Sequence, residues 1–144
     1  MRVFAAFAIA GAALLAASCG GINDPSKNTV DSVSGTLAVG GANEHRFRSS
    51  KTGELSVKLT ALAPTSNAII GLLWTQATND GSCAGLLQQA FAQLNVPAIA
   101  GPVSSQNYCI IVNDIGGISV PQTYTLAISH PKTVICGGRA CLGP

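Results

Sequence analysis

The chain has 144 residues, which suits one compact domain, and is 47% hydrophobic but only 5% aromatic and 10% charged. Its formal net charge of +2 argues against a nucleic-acid partner, since such binding needs clustered positive charge to displace counterions. The first element is an export signal. Arg2 precedes an uninterrupted apolar run over residues 3–17, and Ala16-Ala17-Ser18-Cys19 closes it. The run falls short of the roughly 20 apolar residues that span a bilayer. A basic start, an apolar centre and a small-residue exit mark a cleavable segment. Residues 1–18 therefore read as a lipoprotein signal peptide and Cys19 as the lipid attachment residue. Gly20 stands where an Asp would favour the inner membrane, so the expected destination is the outer membrane, facing the periplasm or the cell surface.

Residues 19–32 read as the lipidated N-terminus and a polar, turn-rich tether, with Asn23-Asp24-Pro25-Ser26 at its centre. A flexible segment of this size reaches roughly 20 Å on average. The domain is expected over residues 33–131, and it reads as all-β. Residues 32–39 alternate apolar with small or polar side chains and stop at Gly40-Gly41. Next, Arg46-Phe47-Arg48 has the pattern of a strand with Phe47 inward and its neighbours facing water, with Phe47 in a surface patch as the alternative. Leu55, Val57, Leu59 and Ala61 then share one face, with Glu54, Ser56, Lys58 and Thr60 on the other. This period of two indicates an antiparallel sheet with one wet face. Residues 68–75 are more continuously apolar and fit a central buried strand that includes Trp74. Asn79-Asp80-Gly81-Ser82 is a turn.

Residues 84–94 place Leu86, Leu87, Ala90, Phe91 and Leu94 at helical spacing, with glutamines between them. They read as one short helix or an irregular crossover. Tyr108-Cys109-Ile110-Ile111-Val112 is a β-branched run, and Tyr124, Leu126 and Ile128 alternate in the last strand, which His130-Pro131 stops. Residues 132–144 form a C-terminal tail.

Export makes disulfides the favoured use of Cys83, Cys109, Cys136 and Cys141. Four cysteines allow three pairings. The reading favours Cys83 with Cys109, stapling a loop to a strand, and Cys136 with Cys141, closing a small Gly-rich loop. Zinc is the competing use. Against it, no two of these cysteines have the two-residue spacing of structural zinc sites, and His130 is the only nearby imidazole.

The order of these segments resembles the bacterial pre-peptidase C-terminal domain and its collagen-binding-domain-like relatives. The residues that carry the likeness are Ser34-Gly35-Thr36-Leu37, the Phe47 strand, residues 53–59, residues 69–74, the Tyr108 strand and Tyr124-Thr125-Leu126-Ala127-Ile128. The resemblance implies a jelly-roll β-sandwich over most of the mature chain. It also implies a non-catalytic accessory role, with carbohydrate or collagen as ligands in some members. The calcium motif of the family has no residue-by-residue counterpart here, because the acids are few and dispersed.

Chemical candidates are sparse. No Gly-x-Ser-x-Gly elbow accompanies His45, His130 and Asp114, and no phosphate loop or dinucleotide fingerprint is present. Once Cys19 is lipidated, an even set of cysteines leaves no free thiol for catalysis. Glu44-His45 suits a polar strand end as well as acid–base chemistry. Asp80 and Asp114 are turn carboxylates of the kind calcium takes, and turn chemistry alone also accounts for both. Trp74 reads as core, with an exposed sugar-stacking platform as the alternative. The expectation is a lipid-anchored, non-catalytic envelope module that binds glycan or another envelope protein, with no catalytic residue, metal or cofactor. The alternative is a small envelope hydrolase whose site the sequence does not reveal.

Overall fold

The computed structural model describes residues 25–132, 135–136 and 139–140. A 3-10 turn at Pro25–Lys27 leads into eight long strands: β1 (Thr29–Leu37), β2 (Ala42–Ser49), β3 (Gly53–Ala63), β4 (Ile70–Ala77), β5 (Cys83–Ala92), β6 (Pro97–Val103), β7 (Gln106–Asn113) and β8 (Gln122–His130). A two-residue pair follows, β9 (Ile135–Cys136) with β10 (Arg139–Ala140). The long strands form two antiparallel sheets, ordered β1-β8-β3-β6 and β2-β7-β4-β5. Pairing is nested: β1 joins β8, β2 joins β7, β3 joins β6 and β4 joins β5. A chain doubled back on itself in this way and rolled into two layers is a jelly-roll β-sandwich.

Alternation along the strands builds the core. Leu55, Val57, Leu59, Leu126 and Ile128 face inward from one sheet, and Ile70, Leu72, Trp74, Tyr108, Ile110 and Val112 from the other. Burying each such aliphatic side chain contributes about 1.5–3 kcal/mol. Trp74 is a core residue rather than an exposed platform. Its ring reaches the opposite sheet, where a Cβ on Gly101 would stand 2.8 Å from it. Phe47 is inward as expected, stacked on Tyr108.

Three expectations are corrected, and one further strand is added. Residues 84–94 are not a helix or crossover but mainly strand β5. Its pairing with β4 shifts register on both sides of Thr75, and Gly85 takes a φ of 71°. These irregularities break the two-residue period and leave a spacing that imitates a helix. Residues 97–103 hide a strand behind Pro97 and Pro102, which β6 tolerates because it is a sheet edge. Ala61 faces solvent, since a bulge between Leu59 and Ala61 hands the inward position to Leu62. The tether does not run to residue 32, because β1 begins at Thr29 and pairs there with His130.

With odd strands running one way and even strands the other, the sandwich has two distinct ends. The near end receives the start of β1, the end of β8 and the turns at residues 50–52, 78–82 and 104–105. The far end carries loops 38–41, 64–69, 93–96 and 114–121.

Candidate functional site

At the near end, a groove of about 670 Å³ lies against the second sheet, lined by Arg46, Arg48, Thr78, Asn79, Gly81, Ser105, Gln106 and Asn107. Strand alternation makes its floor. Phe47 points inward, so Arg46 and Arg48 point outward about 7 Å apart along β2, facing Cys109 and Asn107 of β7. Arg48 Nη1 donates to Asn107 Oδ1 at 3.4 Å, and Arg46 Nη2 lies 3.4 Å from Glu44 Oε2.

The β4–β5 turn makes the wall. Asp80 organises it by accepting from the Thr78 hydroxyl and from the Ser82 amide and hydroxyl, each of the latter at 3.0 Å. These bonds, the Thr78 one foremost, lower its pKa to about 2. The carboxylate is thus ionised and already occupied. Gly81 has a φ of 84°, and a Cβ there would stand 3.2 Å from Arg46 Nη1, so glycine lets the turn approach the guanidinium. Cys83 and Cys109 form a disulfide that joins β5 to β7 across β4. It fixes the end of the turn beside Arg46, and Glu44 Oε2 lies 3.4 Å from the Cys83 sulfur. Thr75 faces Cys109 on β4, and its buried hydroxyl has no hydrogen-bond partner.

The arrangement presents two guanidinium groups, side-chain amides and hydroxyls on a pinned scaffold. Guanidinium forks match carboxylate and phosphate oxygens. The paired arginines were visible in the sequence as alternate residues of one strand. The wall was not, because a turn some thirty residues downstream supplies it.

The other candidates lie apart from the groove and from one another. Asp114 accepts from the backbone amides of Gly40 (2.8 Å), Gly116 (2.8 Å) and Gly117 (3.0 Å), which hold its carboxyl below the usual range. It belongs to the far end and Asp80 to the near end, so the two do not converge on one calcium ion. No group of three or more metal-ligating side chains occurs among the described residues. His45 Nε2 lies 2.7 Å from the Tyr124 hydroxyl. Burial lowers the His45 pKa and raises that of Tyr124. Buried His130 has Nε2 2.8 Å from Asp31 Oδ2 and Nδ1 3.3 Å from the Pro131 carbonyl oxygen. His45, His130 and Asp114 thus serve three separate places and do not assemble a triad. Cys136 falls in β9, while Cys19 and Cys141 lie outside the described residues, so the lipid site and the second disulfide do too.

No family model and no curated protein matches the chain. Among solved structures, the chain is similar to the Yersinia pseudotuberculosis-derived mitogen, at 14% identity and a TM-score of 0.56, covering 77% of this chain and 93% of that one. The likeness is one of fold. A protein from Sulfurospirillum deleyianum matches at 8% identity and a TM-score of 0.42, over 68% of this chain and 97% of that one.

Proposed function

We propose that the protein is a lipid-anchored, non-catalytic binding module of the bacterial outer membrane, which holds an acid-bearing envelope glycan in the Arg46–Arg48 groove. The observation that carries this reading is the groove itself. It offers cationic and amide donors on a floor and wall fixed by the Cys83–Cys109 disulfide, while the nearest turn carboxylate, Asp80, is already occupied. Such a surface orients an anion through its guanidinium and amide donors. The export signal ending at Cys19 supports the anchor. The resemblance to pre-peptidase C-terminal sandwiches supports an accessory role, since domains of that type bind rather than cleave.

Calorimetric titration of the full chain in detergent with uronate-bearing and neutral oligosaccharides tests the proposal. Charge-assisted bonds contribute about 1.5–3 kcal/mol each, so Arg46→Ala with Arg48→Ala is expected to weaken the acidic ligand at least roughly tenfold. The neutral sugar should bind poorly to either protein. Equal affinity of parent and double variant would remove the groove from the account. Turnover of the glycan would replace the binding module with the enzyme reading.

A further inference from the structure

The four sheet edges of the sandwich are not protected alike. An edge strand presents unpaired backbone donors and acceptors, and proteins normally blunt it with charge or proline. The β2 edge carries Glu44, Arg46 and Arg48, the β1 edge carries Asp31, and the β6 edge carries Pro97 and Pro102. The β5 edge has none of these. Residues 81–113 contain no Asp, Glu, Lys, Arg or His. Within that stretch β5 exposes Leu86 (57%), Leu87 (45%) and Phe91 (64%). Phe91 also borders an apolar hollow of about 460 Å³ shared with Ile69 and Ile115.

We infer that the β5 edge is where a second copy of this chain docks, β5 against β5, joining two sheets into one continuous eight-stranded sheet across a two-fold axis. Two observations and one physical argument favour a second copy as the occupant. An antiparallel pairing about a two-fold axis sets each strand against itself, so any charge near the axis would meet its own like; this edge has none. Lipid would cover the apolar side chains but leave the backbone donors and acceptors of the edge unsatisfied, which a paired strand does not. The irregular pairing is confined to the first half of β5, and residues 88–92 pair regularly with residues 70–74. The second half is therefore flat enough to extend the ladder. Centring the axis on Ala90 puts Phe91 opposite Gln89 of the other copy, both on the outer face.

The inference is independent of the glycan groove and of the anchor. The test is the molar mass of the full chain in detergent, measured by sedimentation at micromolar concentration. A dimer is expected. Phe91→Lys, at an exposed site that the fold does not need, should weaken it at least roughly tenfold by setting like charges near the axis. Phe91→Leu should retain it, as should Val30→Lys on the β1 edge, where Val30 is also exposed. Ala90→Cys should form an intermolecular disulfide under mild oxidation. A monomeric parent chain, or a dimer indifferent to Phe91→Lys, overturns the inference. So does a monomer whose Phe91→Lys variant loses binding to phospholipid vesicles, which would assign the edge to lipid instead.

Discussion

His45 and Tyr124 show how a single pair couples the layers to pH. His45 leaves β2 of one sheet and Tyr124 leaves β8 of the other, and their contact at 2.7 Å bridges the layers. A Cβ on Gly35 would stand 2.6 Å from the Tyr124 oxygen, so glycine at that β1 position makes room for the phenol. Burial holds the His45 pKa below 6.5 and the Tyr124 pKa above 10. The unfolded chain therefore protonates His45 more readily. That part of the stability is full above 6.5 and is lost as pH falls through the folded value. For Tyr124 the sign reverses. Its part is full below 10 and is lost as pH rises through the folded value. Asp80, lowered from 3.8 to about 2, adds a separate acid loss confined to that lower window. Urea midpoints measured across pH should show a plateau with two shoulders. His45→Gln should flatten the slope just below pH 6.5 and leave the lower acid limb, and Tyr124→Phe should remove the alkaline shoulder. Superimposable acid limbs in parent and His45→Gln would show that the imidazole does not contribute.

At the scale of elements, the Cys83–Cys109 link closes 26 residues of chain and pins the irregular start of β5 to β7. In the chain-entropy model, such a loop stabilises the fold by about 3–4 kcal/mol. Replacing both cysteines by serine should lower the unfolding free energy by that order, while the core alternation keeps the sandwich folded. The same variant should bind the acidic glycan more weakly, because the wall beside Arg46 is then free to move. Unchanged affinity would show that the turn holds its place through Asp80 alone. These elements also show what a sequence can reveal. The strands β3, β4, β7 and β8 read plainly because each keeps a period or an apolar run where it packs, as do the inward Phe47 and the outward Arg46 and Arg48. The strands β5 and β6 did not. Register shifts broke the period of one, and two prolines and a glycine concealed the other. The groove was half legible for a related reason. Local alternation states which side chains point out, but only the long-range return of residues 78–82 over β2 states what faces them.

The nested topology sets the boundary of the whole molecule, because the first strand completes the sheet begun by the last. Thr29, Val30, Asp31 and Ser32 pair with His130, Ser129, Ile128 and Ala127. A domain read as starting at residue 33 would lack this half of the ladder. It would also lack Asp31, whose carboxylate meets the buried His130 imidazole at 2.8 Å and Lys132 at 3.7 Å. Leaving a buried polar group without its partner costs about 1–3 kcal/mol, more when charge is involved. The lost backbone pairs and the freed end of β8 add to that. Three chains ending at Pro144 and starting at residues 20, 25 and 33 separate tether from domain. The first two should unfold at the same urea midpoint, since the polar, turn-rich sequence of residues 20–24 is that of a tether. The third should lose at least about 2 kcal/mol, and Asp31→Asn in the longest chain should reproduce part of that loss. Equal midpoints for the chains starting at 25 and 33 would mean that the β1–β8 ladder closes the sandwich without stabilising it. The nesting would then describe the path of the chain rather than the force that holds its ends together.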